Sequence, residues 1–227
     1  MAAPVSVIIP TLNAVSSIGP TMASLMQGIH AGIIREVILS DGGSRDDIHR
    51  LADVTGAVLV TASHRGRGWQ LREGAATATA DWMLFLHADT SLESNWVDAV
   101  AGQLQDPQTA GYFRLAFDAK GVMPALFAGW ANVRSRVFRL PFGDQGLLIH
   151  RRLYDAVGGY PALPLLEDMV ISRRIGRRLV PLTATATTSA ERYRRDGWIR
   201  RGSRNLAIQA LFLMGRDPRE LATRYLG

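Results

Sequence analysis

The chain has 227 residues, a formal net charge of +6 and no cysteine. Its 47% apolar content suits a folded domain with a proper core, while the missing thiols exclude disulfides and thiolate metal sites. No apolar run approaches the roughly 20 residues that a membrane span needs.

The charge is lopsided. Residues 1–110 carry 6 arginines against 11 acids, whereas residues 111–227 carry 20 basic residues against 9 acids, with Lys120 the one lysine. Such a basic half suits an anionic lipid, a phosphorylated substrate or nucleic acid, or merely a solvated helix face. The opening stretch MAAPVSVIIP has no basic n-region and no long apolar h-region. A cytoplasmic chain, soluble or peripheral at the inner face of the membrane, is therefore expected.

VSVII (5–9), stopped by Pro10, reads as a buried strand. A helix follows over about Ser16–Ile29, with Ser16 or Ser17 as its cap. EVILS (36–40) is a second strand that breaks at DGGS, and a helix over Arg45–Val54 leads to a third strand, AVLVTA (57–62). The Gly/Arg-rich loop SHRGRGWQ runs into an Ala-rich helix, LREGAATATA, and DWMLFLHAD is the fourth strand. Strands and helices alternating at this spacing predict a parallel sheet with right-handed crossovers.

Beyond residue 110 the pattern is less regular. AGYFRLAFDA (110–119) alternates as a strand, and PALFAGWANVRSRVFRL (124–140) is amphipathic, with Arg134, Arg136 and Arg139 near its end. GDQGLLIHR gives a turn and a strand, and RLYDAVGGY a short helix closed by glycines. LLEDMVISRRIGRRL has an acidic start and a basic end, the polarity that the helix dipole favours. PLTATATTSA reads as a late strand, and GWIRRGSRNLAIQALFLMG and DPRELATRYL as closing helices.

In parallel sheets ligands sit outside the carboxyl ends of the strands. Those ends here are PTLN, SDGGS and HADT. The topology would bring Thr11 and Asn13, Asp41 and Ser44, and His87 and Asp89 into one crevice. A lone aspartate on a strand tip can hold Mg²⁺ or Mn²⁺ when a diphosphate supplies further oxygens, and Asp89 fits that role. Asp41 could meet a base or ribose, or could simply be the turn residue before Gly-Gly.

SVIIPTLN, VILSDGGSRD, GRGWQLREGA, LFLHADT, GDQGLLI, GGYPALPLLEDM and SAERYRRDGW occur in the order found in family 2-type glycosyltransferases, which the chain resembles over essentially its whole length. The likeness is greatest to the small bacterial branch that carries His-Ala-Asp in place of Asp-x-Asp, labelled radical-SAM/selenodomain-associated or arsenosugar-biosynthesis glycosyltransferases. The resemblance implies the α/β GT-A nucleotide-diphospho-sugar transferase fold, a Rossmann-like, mostly parallel sheet with helices on both faces. It implies one domain over 1–227, with a nucleotide-sugar-binding half (1–110) and an acceptor-side half (111–227) that ends in helices.

By the same resemblance, Pro10, Thr11 and Asn13 line the nucleotide pocket and Asp41 bonds the base or ribose. Arg67 and Gln70 approach the nucleotide or its phosphates. Asp89 is the metal-binding aspartate, for Mn²⁺ or Mg²⁺, with His87 and Ala88 completing its motif and His87 more a supporting residue than a ligand. Asp168 is the acceptor base of an inverting transfer, with Glu167 beside it. Gly143, Asp144 and Gln145 face the acceptor, and Arg192 and Tyr193 help to close the site. Ser17 stands near a glutamate of many relatives, Arg72 where an asparagine is common, and Tyr193 where relatives carry tryptophan.

These roles suit the chemistry, since a carboxylate must take the acceptor's proton and positive charge must meet the departing diphosphate. Plainer readings stand beside them: Asp168 as a helix cap, GDQG as a turn, and the arginines as a solvated face. The donor expected is a nucleotide-diphosphate sugar of UDP or GDP type, and the acceptor a small molecule or a lipid-linked one. The alternatives are a sugar-nucleotide nucleotidyltransferase, whose usual Gly-rich basic loop after the first strand is missing from PTLNAVSS, and a non-catalytic module binding a membrane or partner through the basic half. In that reading Trp198 and Phe212 sit at the lipid interface. No nucleic-acid-binding motif is present, and the apolar C-terminal helices make a homodimer unsurprising.

Overall fold

A computed structural model describes residues 3–218 and 220–221 of the chain. The sequence alternates as β1 (Val5–Thr11), α1 (Gly19–His30), β2 (Ile34–Asp41), α2 (Ile48–Thr55), β3 (Val58–Thr61), α3 (Arg67–Thr77) and β4 (Trp82–Phe85). These four strands are parallel, in the order β3-β2-β1-β4. Val5, Val7, Ile8 and Ile9 of β1 have no exposed surface, because helices cover both faces of a parallel sheet.

The sheet continues through the second half. After β5 (Thr90–Leu92) and α4 (Trp96–Gln103) come β6 (Ala110–Phe117), α5 (Val122–Phe138), β7 (Leu147–His150), α6 (Arg151–Ala156), α7 (Glu167–Ile175), β8 (Leu179–Thr188), α8 (Glu191–Asp196) and α9 (Trp198–Leu213). The full order is β3-β2-β1-β4-β7-β6-β8-β5. β7 lies antiparallel to β4 and β6, β6 and β8 are parallel, and β5 is antiparallel to β8. One mixed sheet, parallel in its first half, thus carries two cores on its opposite faces, one around Ile9, Leu39 and Leu84 and the other around Ile8, Met83 and Ile149.

Several expectations shift. α1 begins at Gly19, and neither Ser16 nor Ser17 caps it; Ser17 Oγ instead donates back to the Ala14 carbonyl at 3.2 Å. α2 starts at Ile48 rather than Arg45, because Asn13 Oδ1 accepts from Arg45 N and keeps that residue in the loop. α3 starts within the Gly/Arg stretch, at Arg67, because Gly68 N donates to Leu163 O at 3.1 Å and anchors its first turn. The fourth strand stops at Phe85 rather than running to Asp89, and Thr90 opens a separate strand on β8. α4 and α8 were not expected. The closing helix expected over DPRELATRYL falls partly on residues 219 and 222–226, outside the described residues.

Candidate active site

The tips of β1, β2 and β4 lie side by side, as the sequence predicts. Gln70, 6% exposed, ties the first two together, its amide donating to Thr11 O at 2.6 Å and to Ser40 O at 2.9 Å. Asn13, at a φ of 51°, locks the loops to each other: its N donates to Ser44 Oγ at 2.8 Å, and its Oδ1 accepts from Arg45 N at 2.8 Å. Asp41 is buried and lines neither cavity described below. It accepts from Gly43 N and Ser44 N at 2.9 and 2.8 Å, from Thr11 Oγ1 at 3.3 Å and from the Ser44 hydroxyl. Burial pushes its carboxyl up, yet the bonds from Ser44, Gly43 and Thr11 outweigh that and hold it below the usual value.

Leu86 N still donates to Ile8 O at 3.0 Å, and His87 to Asp89 then leave the ladder under local control. Thr21 Oγ1 donates to Ala88 O at 2.8 Å, Thr90 N to His87 O at 3.2 Å, and Ser189 N to Asp89 O at 3.0 Å. These bonds aim the Asp89 carboxylate into the site, where Arg192 reaches Oδ2 at 3.7 Å.

Two cavities share a wall made of Leu12, Arg67, Gln70, His87, Asp89 and Arg192. The smaller, about 190 Å³, is bounded on its far side by Pro10, Thr11, Asn13 and Ala88. The larger, about 580 Å³, opens toward Gly143, Asp144, Asp168 and Tyr193, with Arg201 and Asn205 of α9 over it. Gln145 touches neither. It is fully buried, accepting from Ser135 Oγ at 2.5 Å and donating to Phe113 O at 3.1 Å, so it braces α5 against β6.

Arg67 is the hub of the shared wall. Its Nε donates to Glu167, its Nη1 lies 3.2 Å from His87 Nε2, and its Nη2 is 4.0 Å from Asp168 Oδ2. Burial pulls its pKa down, but Glu167 and Asp168 more than reverse that, so it stays charged. A guanidinium can only donate, so His87 accepts through Nε2 and keeps its proton on Nδ1. Burial first, then the charges of Arg67 and Arg192, hold His87 well below its usual pKa, and the ring is neutral.

Asp168 Oδ2 accepts from Gly143 N at 3.0 Å; its carboxylate therefore spans to the GDQG turn instead of capping its own helix. Gly143 packs so closely that a Cβ there would collide with His87 Nε2 and lie 2.9 Å from Asp168 Oδ2. Glu167 has no exposed surface, and its Oε2 has no hydrogen-bond partner. Burial raises its carboxyl to about 7, Arg67 opposing and Asp168 adding to the rise. Asp144 likewise has an unpartnered Oδ1 and is raised, by burial before all else.

Residues that the sequence did not single out for the site also belong here. Arg201 pairs with Asp196 at 2.6 Å and lies 5.5 Å from the centre of the Tyr193 ring. Arg134, 8% exposed, stacks 3.6 Å over Phe142 beside the cavity. Its place near the end of an amphipathic helix was legible, but its inward turn was not.

Among the described residues no three or more His, Asp or Glu side chains converge to cage a metal ion. A cation held here would rest on Asp89 and on oxygens of its own ligand. That donor set fits Mg²⁺ or Mn²⁺, which need few protein carboxylates when phosphates are present.

Comparison with known proteins matches residues 6–127 to the model of glycosyl transferase family 2. The chain belongs to that family. It is 29% identical over 162 residues to Glycosyltransferase AglJ of Haloferax volcanii, covering 67% of this chain and 51% of that protein. It is 27% identical over 170 residues to a PGL/p-HBAD biosynthesis glycosyltransferase of Mycobacterium tuberculosis, covering 70% of this chain and 64% of the relative. The chain thus spans one half to two thirds of the length of these relatives. Two solved structures share its GT-A fold: S. aureus TarS 1–349 in complex with UDP-GlcNAc, at a TM-score of 0.63 and 17% identity over 82% of this chain and 58% of that one, and glucosyl-3-phosphoglycerate synthase of Mycobacterium tuberculosis with Mn²⁺ and UDP, at 0.57 and 20% over 82% and 70%.

Proposed function

We propose that the chain transfers a sugar, with inversion, from a nucleotide-diphosphate donor of UDP type to an acceptor hydroxyl. One observation carries this reading: Asp89 and Asp168 line the same 580 Å³ cavity, with Arg67 in its wall. The nucleotide complexes of the fold relatives support UDP as the donor's nucleotide, and the family membership favours sugar transfer over nucleotidyl transfer or a purely binding role.

In this reading residues 1–110 hold the donor and residues 111–227 the acceptor. Pro10, Thr11 and Asn13 border the chamber for the nucleoside, and Asp41 serves it by holding the loop at Gly43 and Ser44. Asp89 is the residue that would hold a divalent cation, whose chemistry is to neutralise charge on the leaving diphosphate. Arg192, 3.7 Å from Asp89, adds positive charge at the same place. Asp168 takes the proton of the acceptor hydroxyl; that oxygen bonds to the anomeric carbon as the bond to the diphosphate breaks, and the nucleoside diphosphate departs. Glu167 is a positioning residue: it fixes Arg67, which in turn orients His87 and Asp168. Gly143 and Asp144 border the acceptor, which is a small molecule or lipid-linked. The His-Ala-Asp triplet at 87–89 supports placement in the bacterial branch that carries it.

The test is calorimetric titration of UDP and GDP, with and without Mn²⁺, on the wild type and on Asp89→Ala. Mn²⁺-dependent binding of UDP, lost in the variant, is expected. If neither nucleotide binds under any condition, the donor site is wrong.

A further inference from the structure

Apolar stripes on helices normally face the core. α5 reverses this. Val122, Leu126, Trp130, Val133 and Val137 recur at helical spacing and are 46–74% exposed. The opposite flank holds the polar contacts to the body: Asn132 bonds both N and O of Leu115, and Ser135 bonds Gln145. α9 repeats the pattern. Ile199, Leu206 and Leu213, seven residues apart, are 73%, 45% and 52% exposed, while Arg201, Asn205 and Ile208 turn toward the larger cavity. The two helices meet where Phe127 packs against Trp198 and over Gly202, so both ridges point away from sheet and cavity.

Charge accompanies the apolar ridges. Neither helix contains an aspartate or glutamate; their charged residues are all arginine. Beside the start of α9, Arg195 and Arg201 pair with Asp196 at 2.9 and 2.6 Å, and Arg200 and Arg204 complete a cleft of about 330 Å³, wide enough for a phosphate group. The exposed arginines beside the ridges are Arg136 of α5 and Arg200 and Arg204 of α9, Arg134 being turned inward; apolar ridges so flanked match the headgroup boundary of an anionic bilayer.

We propose that the exposed flanks of α5 and α9 form one docking face for an anionic phospholipid surface, with the arginine cleft taking a lipid phosphate. The face differs from the one that the sequence suggested. Trp198 stacks on Tyr193 at 4.6 Å within an aromatic cluster and is not presented to lipid, and Phe212 is half-buried beside Arg173. Where the proposed transfer holds, docking sets the cavity, roofed by α9, close to lipid-borne acceptors.

The test is co-sedimentation of the purified chain with phosphatidylcholine vesicles that contain or lack phosphatidylglycerol. Binding to the anionic vesicles should exceed that to neutral ones at least tenfold at low salt and fall with added salt. Trp130→Glu with Leu206→Glu should return it to the neutral level, and Arg200→Glu with Arg204→Glu should weaken it severalfold. Because the chain lacks cysteine, a dye on Leu126→Cys gives a second readout, a blue shift on anionic vesicles only, should the paired variants fail to fold. No binding at low salt overturns the proposal. So does a dye shift that rises with protein concentration without vesicles, which assigns the face to a second copy of the chain. UDP titration of the same sample keeps this result separate from the donor site.

Discussion

The two walls of the site are built on opposite terms. On the β1–β2 side Asp41, Ser44, Asn13 and Gln70 bond one another and the strand ends. On the α7 side Glu167 Oε2 and Asp144 Oδ1 are buried without partners, and both carboxyls are raised. A buried, unpaired polar oxygen costs stability; the β2 side carries it too, at Ser40 Oγ and Asp46 Oδ1, but those residues line neither cavity, whereas Asp144 lines the larger one. In the proposed reaction the nucleotide would meet the bonded floor, and the proton would be exchanged at the wall that carries the raised carboxyls.

The sharpest break in that contrast is Asp168→Asn, which should lower kcat roughly 10²–10⁴-fold while UDP affinity stays within twofold of wild type; equal losses in both would return Asp168 to a structural role. Gly143→Ala comes next. Its Cβ intrudes on His87 and Asp168, and displacement of the base should reduce turnover about 10²-fold, measured as donor consumption with acceptor present.

On the β1–β2 side the effect should be thermal. Gln70→Leu removes the amide bonds to the carbonyls of Thr11 and Ser40, although Thr11 O keeps its bond from Gly42 N; this should cost about 1 kcal/mol and lower the melting temperature by roughly 2–4 °C. Glu167 should show itself through pH. Its folded pKa of about 7 lies above the ordinary 4.5, so the folded state binds the proton more tightly. Its contribution to stability is full below 4.5 and is lost as pH rises through about 7. The melting temperature should therefore decline across that window, and Glu167→Gln should flatten the slope. The smallest change belongs to Arg192→Ala. Its ion pair with Asp89 spans 3.7 Å, with the arginine side chain 60% exposed, so stability without ligand should move by no more than about 0.5 kcal/mol.

β1 to β4 were legible because buried parallel strands are continuous apolar runs, and their polar ends announced a crevice. Asp89, Thr11 and Asn13 could be placed by that rule alone. Arg67 could be suspected, but its partner Glu167 lies 100 positions away, and no local pattern encodes such a pair. Gln145 looked like an acceptor contact because it sits in GDQG; the packing of α5 on β6 claimed it instead. α5 shows the limit of periodicity most plainly. Its stripe gives the helix, yet nothing in the spacing tells which flank the protein covers.

Because Arg67 borders both chambers and its guanidinium also holds Glu167, a diphosphate bound as proposed would be coupled to the protonation of Glu167. A diphosphate that draws its charge weakens its hold on Glu167 and so raises that carboxyl's affinity for a proton; by reciprocity, a proton on Glu167 must change the affinity for the diphosphate by the same factor. Donor binding should then be accompanied by proton uptake from solution, with a stoichiometry that rises and falls around neutral pH.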